Sequence, residues 1–124
     1  MTGRAIDVER VYDHPGAEDG FRVFVDRLWP RGLRKDSFHY DDWAKDLAPS
    51  TELRRWYSHD VAEFAEFRLR YLAELESPAG RTAVDRVLTL AEDRPLILLT
   101  ATKDLEHSQA VVLRDFLVEF EQPD

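Results

Sequence analysis

The stretch Phe21-Arg-Val-Phe-Val-Asp-Arg-Leu-Trp-Pro-Arg-Gly32 decides the fold of this chain, because it joins an apolar strand to a charged turn. Its centre, Val23-Phe-Val25, is apolar at three consecutive positions, which is typical of a strand covered on both faces. We therefore predict a buried strand over residues 21–28. Four charged or aromatic side chains then precede a Pro/Gly turn: Asp26, Arg27, Trp29 and Arg31. No core requires these side chains, so the pattern indicates a functional site.

Two further apolar runs predict strands on either side of this stretch in the sequence. Ile6, Val8 and Val11 space apolar residues through a polar segment, which predicts a first strand, followed by a turn over residues 13–20. Leu96-Ile-Leu-Leu99 is short and uniformly apolar, so it predicts another buried strand. The segment 42–47 has no clear period.

Two helices are predicted in the middle of the chain. Ser50 is placed as the N-cap of a short helix that ends at about Tyr57. Asp60 and Glu63 resemble a capping box at the start of a longer helix to about Leu75. The apolar stripe of that helix follows helical spacing: Val61, Phe64, Phe67, Tyr71, Leu72 and Leu75.

Two more helices flank the last strand. Ser77 as N-cap and Pro78 as first helical residue predict a third helix, which ends before Pro95 and buries Val84, Val87, Leu88 and Ala91. After a polar turn at residues 100–106, a final helix presents one apolar face: Ala110, Leu113, Leu117 and Phe120. We expect the acidic tail from residue 119 to 124 to fray.

The order strand, helices, strand, helix is that of an α/β domain, in which the strand after a crossover lies parallel to the one before it. We predict a small, mostly parallel sheet covered by helices. At 124 residues, of which 44% are hydrophobic, residues 1–124 are long enough for a single compact domain.

Composition excludes several functional classes. No apolar stretch approaches the roughly 18 residues that span a bilayer, and the polar start lacks a signal peptide's apolar core, so we expect no membrane association and a cytoplasmic location. Cysteine is absent, which excludes thiol chemistry and Cys-ligated zinc. The four histidines are scattered without ligand spacing, so we predict neither a metal nor another cofactor.

The net charge of −8 is unevenly distributed along the chain. Residues 22–35 carry five basic side chains and one acidic one, a local charge of +4 that leaves −12 for the remainder. A positive patch on an acidic protein attracts anionic ligands to itself. The alternative is a set of surface arginines paired with nearby carboxylates.

If the strands are parallel, the segments after the second and the last strand leave the same edge of the sheet, where open α/β sheets bind ligands. We predict that His107 forms an acid/base pair with Asp26 or Asp104, because imidazole titrates near neutral pH and a carboxylate fixes its tautomer, and we name Asp26 and His107 as the catalytic candidates. Six further residues of these segments are predicted to bind a phosphate- or carboxylate-bearing ligand: Arg27, Trp29, Arg31, Lys103, Asp104 and Ser108.

Several motifs together resemble the DUF488 family, in its YeaO-like branch. They lie in the same order over nearly the whole chain, at residues 22–32, 47–56, 59–60, 66–75 and 107–113. The resemblance implies a compact bacterial-type α/β domain and marks Asp26, Arg27, Trp29, Pro30 and Arg31 as the leading motif. The family's last motif usually has Asn after the histidine, where this chain has Ser108. Longer relatives carry cysteines near the last strand and helix, and that chemistry does not transfer here.

Three functions follow as hypotheses. The first is a small-ligand site, catalytic or not, that binds an anionic molecule at the carboxyl edge of the sheet. The second is a module that binds nucleic acid or a regulatory protein through the basic patch of Arg22–Lys35. The third assigns the arginine motif a structural role, with Asp26 and Arg27 in a buried pair.

Overall fold

A computed structural model describes residues 4–12, 20–58 and 60–121. Its strands are β1 (Ile6–Arg10), β2 (Phe21–Phe24), β3 (Asp42–Trp43) and β4 (Leu96–Thr100). Its helices are α1 (Thr51–Tyr57), α2 (Phe64–Glu76), α3 (Pro78–Ala91) and α4 (Gln109–Glu121). Single 3₁₀ turns cover residues 45–47, 61–63 and 105–107.

The four strands form one sheet in the order β1-β4-β2-β3, and every neighbouring pair is parallel. Leu96 is in register with Ile6 on one side and with Phe21 on the other. The predicted α/β class and the parallel pairing of β2 with β4 are therefore confirmed. Strand β2 ends at Phe24, short of the predicted residue 28, because Asp26 turns toward the end of β4.

The two faces of the sheet are covered by different material. Val23, Leu96 and Leu98 point toward the four helices and share one core cluster with them. Phe24, Ile97 and Leu99 point the other way, as alternation along a strand requires, and pack against the loop between β2 and β3. Helices thus cover one face, and an aromatic loop covers the other.

The helix starts follow their capping residues. Ser50 Oγ accepts a hydrogen bond from the Leu53 amide at 3.1 Å and donates to the Glu74 carboxylate at 2.6 Å, so α1 is tied to α2. Ser77 accepts from the Gly80 amide at 3.2 Å and caps α3, as predicted. Asp60 instead caps the 3₁₀ turn before α2, with its Oδ1 accepting from Ala62 N.

Two predicted core positions lie at the surface. Val61 is 48% exposed, because the chain around it forms a 3₁₀ turn and α2 begins only at Phe64. Phe120 is 36% exposed near the end of α4, where its ring stacks on Phe116. The predicted turn at residues 13–20 falls, except for Gly20, outside the described residues, as does the tail beyond Glu121.

Gly80 lies where α3 turns back against the end of α2. A Cβ at this position would stand 2.5 Å from the carbonyl oxygen of Leu75, and nearer still to that of Glu74. Both obstacles are backbone atoms, so a side chain cannot move them aside cheaply.

Gly80→Ala should therefore lower the free energy of unfolding by about 1–3 kcal/mol through overpacking. Helix propensity alone would give a gain of about 1 kcal/mol for the same change. Urea denaturation of both proteins measures the difference. An unchanged or raised midpoint would show that α3 does not meet α2 this closely.

Tyr71 is fully buried in α2, and its hydroxyl donates to the Leu47 carbonyl. Burial raises the pKa of Tyr71 well above its ordinary value, and the Glu74 and Asp26 carboxylates raise it further. The folded state therefore keeps a proton that the unfolded chain releases above about pH 10.

Stability should consequently decrease as the pH rises above about 10, by up to about 1.4 kcal/mol per pH unit from this one group. Tyr71→Phe should remove that part of the pH dependence of stability. It should also lower stability at every pH, because the hydrogen bond to Leu47 is lost. Urea midpoints measured at pH 8, 9.5 and 11 test this. Parallel pH profiles for the two proteins would refute the assignment.

Candidate functional site

The Asp26 carboxylate joins the ends of the two central strands. Its Oδ1 accepts from the Thr100 hydroxyl at 2.6 Å and from the Gln109 side-chain amide, and its Oδ2 accepts from the Ala101 amide at 2.9 Å. The segments that follow β2 and β4 therefore meet at the carboxyl edge of the sheet, and the first residue of α4 meets them there.

Two of these partners were absent from the predicted site. Thr100 is a buried polar residue that closes an otherwise aliphatic strand, and its hydroxyl also accepts from the Thr102 amide at 3.2 Å. Gln109 is the first residue of α4. The sequence signal for Thr100 was the polar residue at the end of an apolar strand. The signal for Gln109 was its position directly after His107-Ser108.

Arg27 holds the segment that leads into α1. Its Nε donates to the Pro49 carbonyl at 2.9 Å and its Nη2 to the Ala48 carbonyl at 3.3 Å. The Tyr71 hydroxyl binds the preceding carbonyl, that of Leu47. Arg27 Nη1 makes no hydrogen bond to the part of the chain that the structure describes, so it remains a donor for a ligand.

A cavity of about 140 Å³ opens between this sheet edge, α1, α2 and the start of α4. Its lining is Asp26, Arg27, Leu28, Pro49, Arg54, Tyr57, Phe67, Thr102, His107, Ser108 and Gln109. Four predicted site residues, Asp26, Arg27, His107 and Ser108, are thereby brought together.

The other four predicted residues lie outside this lining. Asp104 binds His107 Nδ1 at 2.7 Å from behind. Arg31 and Lys103 are exposed. Trp29 packs in the aromatic loop on the far face of the sheet and donates from its Nε1 to the Leu33 carbonyl at 2.7 Å.

His107 and Ser108 form the end of the cavity nearest to α4. The edge of the Phe64 ring meets His107 at 5.2 Å between centroids, and Asp104 fixes Nδ1 of the imidazole. The buried Ser108 hydroxyl donates to the Leu105 carbonyl at 2.7 Å, which closes the 3₁₀ turn. His107 Nε2 makes no hydrogen bond to any described residue.

Arg54 and Tyr57 bring α1 to the cavity, and neither was among the predicted site residues. They stand three residues apart, which places them on one side of the helix. The Tyr57 hydroxyl donates to the His107 carbonyl at 2.8 Å, and burial, with Asp104 and Asp60 nearby, raises the pKa of Tyr57. Arg54 is exposed and its guanidinium has no partner among the described residues.

The lining therefore carries two guanidinium groups and one carboxylate, whose oxygens already accept three hydrogen bonds. His107 adds a second positive charge in excess when it is protonated. Such a cavity favours an anionic group.

The predicted basic patch is not continuous at the surface. Arg22 is fully buried, with its Nε donating to the His39 carbonyl at 2.9 Å and its Nη1 3.4 Å from Glu9 Oε1. Arg27 is half-buried in the cavity wall, and Arg34 pairs with Asp36 at 3.4 Å.

No helix in the described part of the chain is long and apolar enough to cross a membrane. Within the same ranges, no three His, Asp or Glu side chains are grouped so that they could hold a metal ion.

Known proteins match nearly the whole length of this chain. Residues 5–123 match the family described as the inactive DUF488-N3 subclade. The uncharacterised protein YeaO of Escherichia coli (strain K12) is 42% identical over 114 residues, which cover 90% of this chain and 96% of that protein. Uncharacterised proteins of Mycobacterium bovis and Mycobacterium tuberculosis are each 41% identical over 112 residues, covering 90% of this chain and 92% of each relative. No solved structure gives a significant match.

Asp26→Asn should lower the free energy of unfolding by about 1–3 kcal/mol, because an amide nitrogen would face donors that the carboxylate now satisfies. Asp104→Asn is the matched control. It alters a half-exposed pair with His107 and should cost less than about 1 kcal/mol. Equal urea midpoints for the two variants would contradict the role of Asp26 in joining the strands.

Proposed function

The chain belongs to the DUF488 family, in its YeaO-like branch, and from this membership and the geometry of the cavity we propose that it binds a small anion without transforming it. The membership confirms the family that the motifs at residues 22–32 and 107–113 indicated. The proposed ligand carries one carboxylate or phosphate group. It lies between Arg27 and Arg54 at the carboxyl edge of the sheet.

One observation carries this proposal: two guanidinium groups line a cavity in which Asp26, the single carboxylate, is already hydrogen-bonded. Nη1 of Arg27 and the whole guanidinium group of Arg54 are available to donate hydrogen bonds to a ligand. A bound anion would accept charge-assisted hydrogen bonds from both, which are the stronger kind. The exposed end of Arg54 would also guide an anion into the cavity.

The size of the cavity limits the ligand. A volume of about 140 Å³ is close to that of an engineered cavity, about 150 Å³, that binds benzene. Inorganic phosphate or a short carboxylate fits entirely within this space. Leu28, Pro49 and Phe67 supply apolar wall, which suits a carboxylate with a small hydrocarbon body.

The hydrogen bonds support binding rather than turnover. Asp26, proposed from sequence as a base, has both oxygens engaged, so we assign it a positioning role. The Ser108 hydroxyl is bound to Leu105 and is not poised as a nucleophile. The description of the matching subclade as inactive agrees with this proposal. Because Nδ1–H donates to Asp104, Nε2 of His107 donates to the anion only when the ring is the doubly protonated imidazolium.

Binding of nucleic acid through the segment Arg22–Lys35 has less support. Arg22 is buried, Trp29 is packed among other aromatic rings, and Arg34 is paired with Asp36. Arg31 and Lys35 remain as exposed cations of that segment. They form too small a patch to neutralise several phosphates of a nucleic acid.

Calorimetric titration with inorganic phosphate, acetate, butyrate and benzoate tests the proposal. Arg54→Gln should weaken binding of the best ligand by about tenfold or more, because a charge-assisted hydrogen bond is lost. Arg55→Gln is the matched control, since the next residue of α1 is also exposed but lies outside the cavity lining. Arg55→Gln should bind the same ligand with the affinity of the wild-type protein.

If Arg54→Gln and Arg55→Gln weaken ligand binding equally, the effect comes from the net charge of the protein, and the site at Arg54 is refuted. Absence of binding to all four probes would refute the ligand class. NMR spectra of the ligand after overnight incubation should show it unchanged, and conversion of the ligand would refute binding without turnover.

A further inference from the structure

Two tryptophan rings form a corner on the face of the sheet away from the helices. The Trp29 and Trp43 centroids are 5.2 Å apart and the ring planes meet at 60°. Trp29 Nε1 donates to the Leu33 carbonyl at 2.7 Å, and Trp43 Nε1 donates to the Asp26 carbonyl at 2.8 Å. Both indoles are therefore held by their polar edges. We call this pair of rings the tryptophan corner.

The tryptophan corner holds the chain's own ammonium groups. Lys35 Nζ lies 4.9 Å from the centroid of Trp29 and 4.5 Å from that of Trp43. Lys45 Nζ lies 4.2 Å from the centroid of Trp43. The chain has three lysines, so two of them converge on one indole. Neither forms an ion pair with any described carboxylate.

This placement is informative because a lysine ammonium is strongly hydrated and its side chain is flexible. Both lysines are exposed and could extend into water instead. The attraction between an ammonium and the electron-rich face of an indole opposes that tendency, and tryptophan is the strongest aromatic partner for a cation. Two like charges on one ring indicate a strong site for cations.

We propose that the tryptophan corner is a binding site for a quaternary ammonium group, which displaces Lys35. A methylated ammonium keeps its charge but holds water less tightly than Lys35 does, so it gains more from the aromatic faces; aromatic cages recognise such groups in this way. Trp29 and Trp43 are half-buried, so the corner is reached from the surface when the exposed Lys35 moves. The site is separate from the cavity at Arg54 and does not depend on it.

Tryptophan fluorescence tests this in a Trp56→Phe background, which leaves Trp29 and Trp43 as the emitting residues. Tetramethylammonium chloride should change the emission in a saturable way, compared with sodium chloride at equal ionic strength. Lys35→Ala should bind it about tenfold more tightly, because the competing ammonium is gone. Lys103→Ala, at the third lysine, is the matched control and should bind like the background protein. Trp43→Phe should bind several-fold more weakly.

Two results would overturn the proposal. One is the absence of a saturable change in both the background protein and Lys35→Ala. The other is equal tightening in Lys35→Ala and Lys103→Ala, which would indicate general charge repulsion. A peptide with one trimethyllysine distinguishes the sources of the group. Binding much tighter than that of tetramethylammonium indicates a methylated protein, and similar binding indicates a free small molecule.

Discussion

The carboxylate of Asp26 is the interaction on which the arrangement of this domain depends most. It receives hydrogen bonds from the last residue of β4, from the backbone just beyond it and from the first residue of α4. The segment after β2 is thereby fixed to the end of β4 and to the start of α4 at one point of the sheet edge. A buried donor without an acceptor is costly, so a displacement of one of these elements alone would leave a hydrogen-bond donor without its acceptor. The cavity beside Asp26 takes its shape from this arrangement.

The backbone of the same residue connects the two sides of the sheet. Its carbonyl accepts from Trp43, which stands in the aromatic cluster opposite the helices. The carboxylate faces the cavity, whereas the carbonyl supports the tryptophan corner. The loop between β2 and β3 can thus replace a helical layer, because its aromatic rings pack on Phe24 and Leu99. The N–H groups of Trp29 in this loop and of Trp43 in β3 are satisfied by backbone oxygens.

Local patterns predicted the elements that rest on local chemistry. The caps at Ser50 and Ser77 and the apolar strand at residues 96–99 could be predicted because each depends on neighbouring residues. The short strand β3 could not be predicted, since a two-residue pairing is set by its partner strand rather than by its own period.

The burial of Arg22 could not be predicted from the sequence either, because its partners, Glu9 and the His39 carbonyl, come from two different segments. Arg54 joined the cavity lining only because α1 lies beside the 3₁₀ turn at residues 105–107, where Tyr57 donates to the His107 carbonyl. Trp29 was predicted to bind the ligand, but it lies on the side of the sheet opposite the cavity.

Amide hydrogen exchange at Ala101, measured by NMR in the native protein, tests the central role of Asp26 most directly. Ala101 lies beyond the end of β4, where no strand pairing protects its amide, and its N–H donates to Asp26 Oδ2. If the carboxylate holds the sheet edge together, this amide exchanges as slowly as that of Leu99 inside β4, while the nearby Lys103 amide exchanges quickly. Exchange at Ala101 as fast as at Lys103 would show that the Asp26 carboxylate does not hold the sheet edge together.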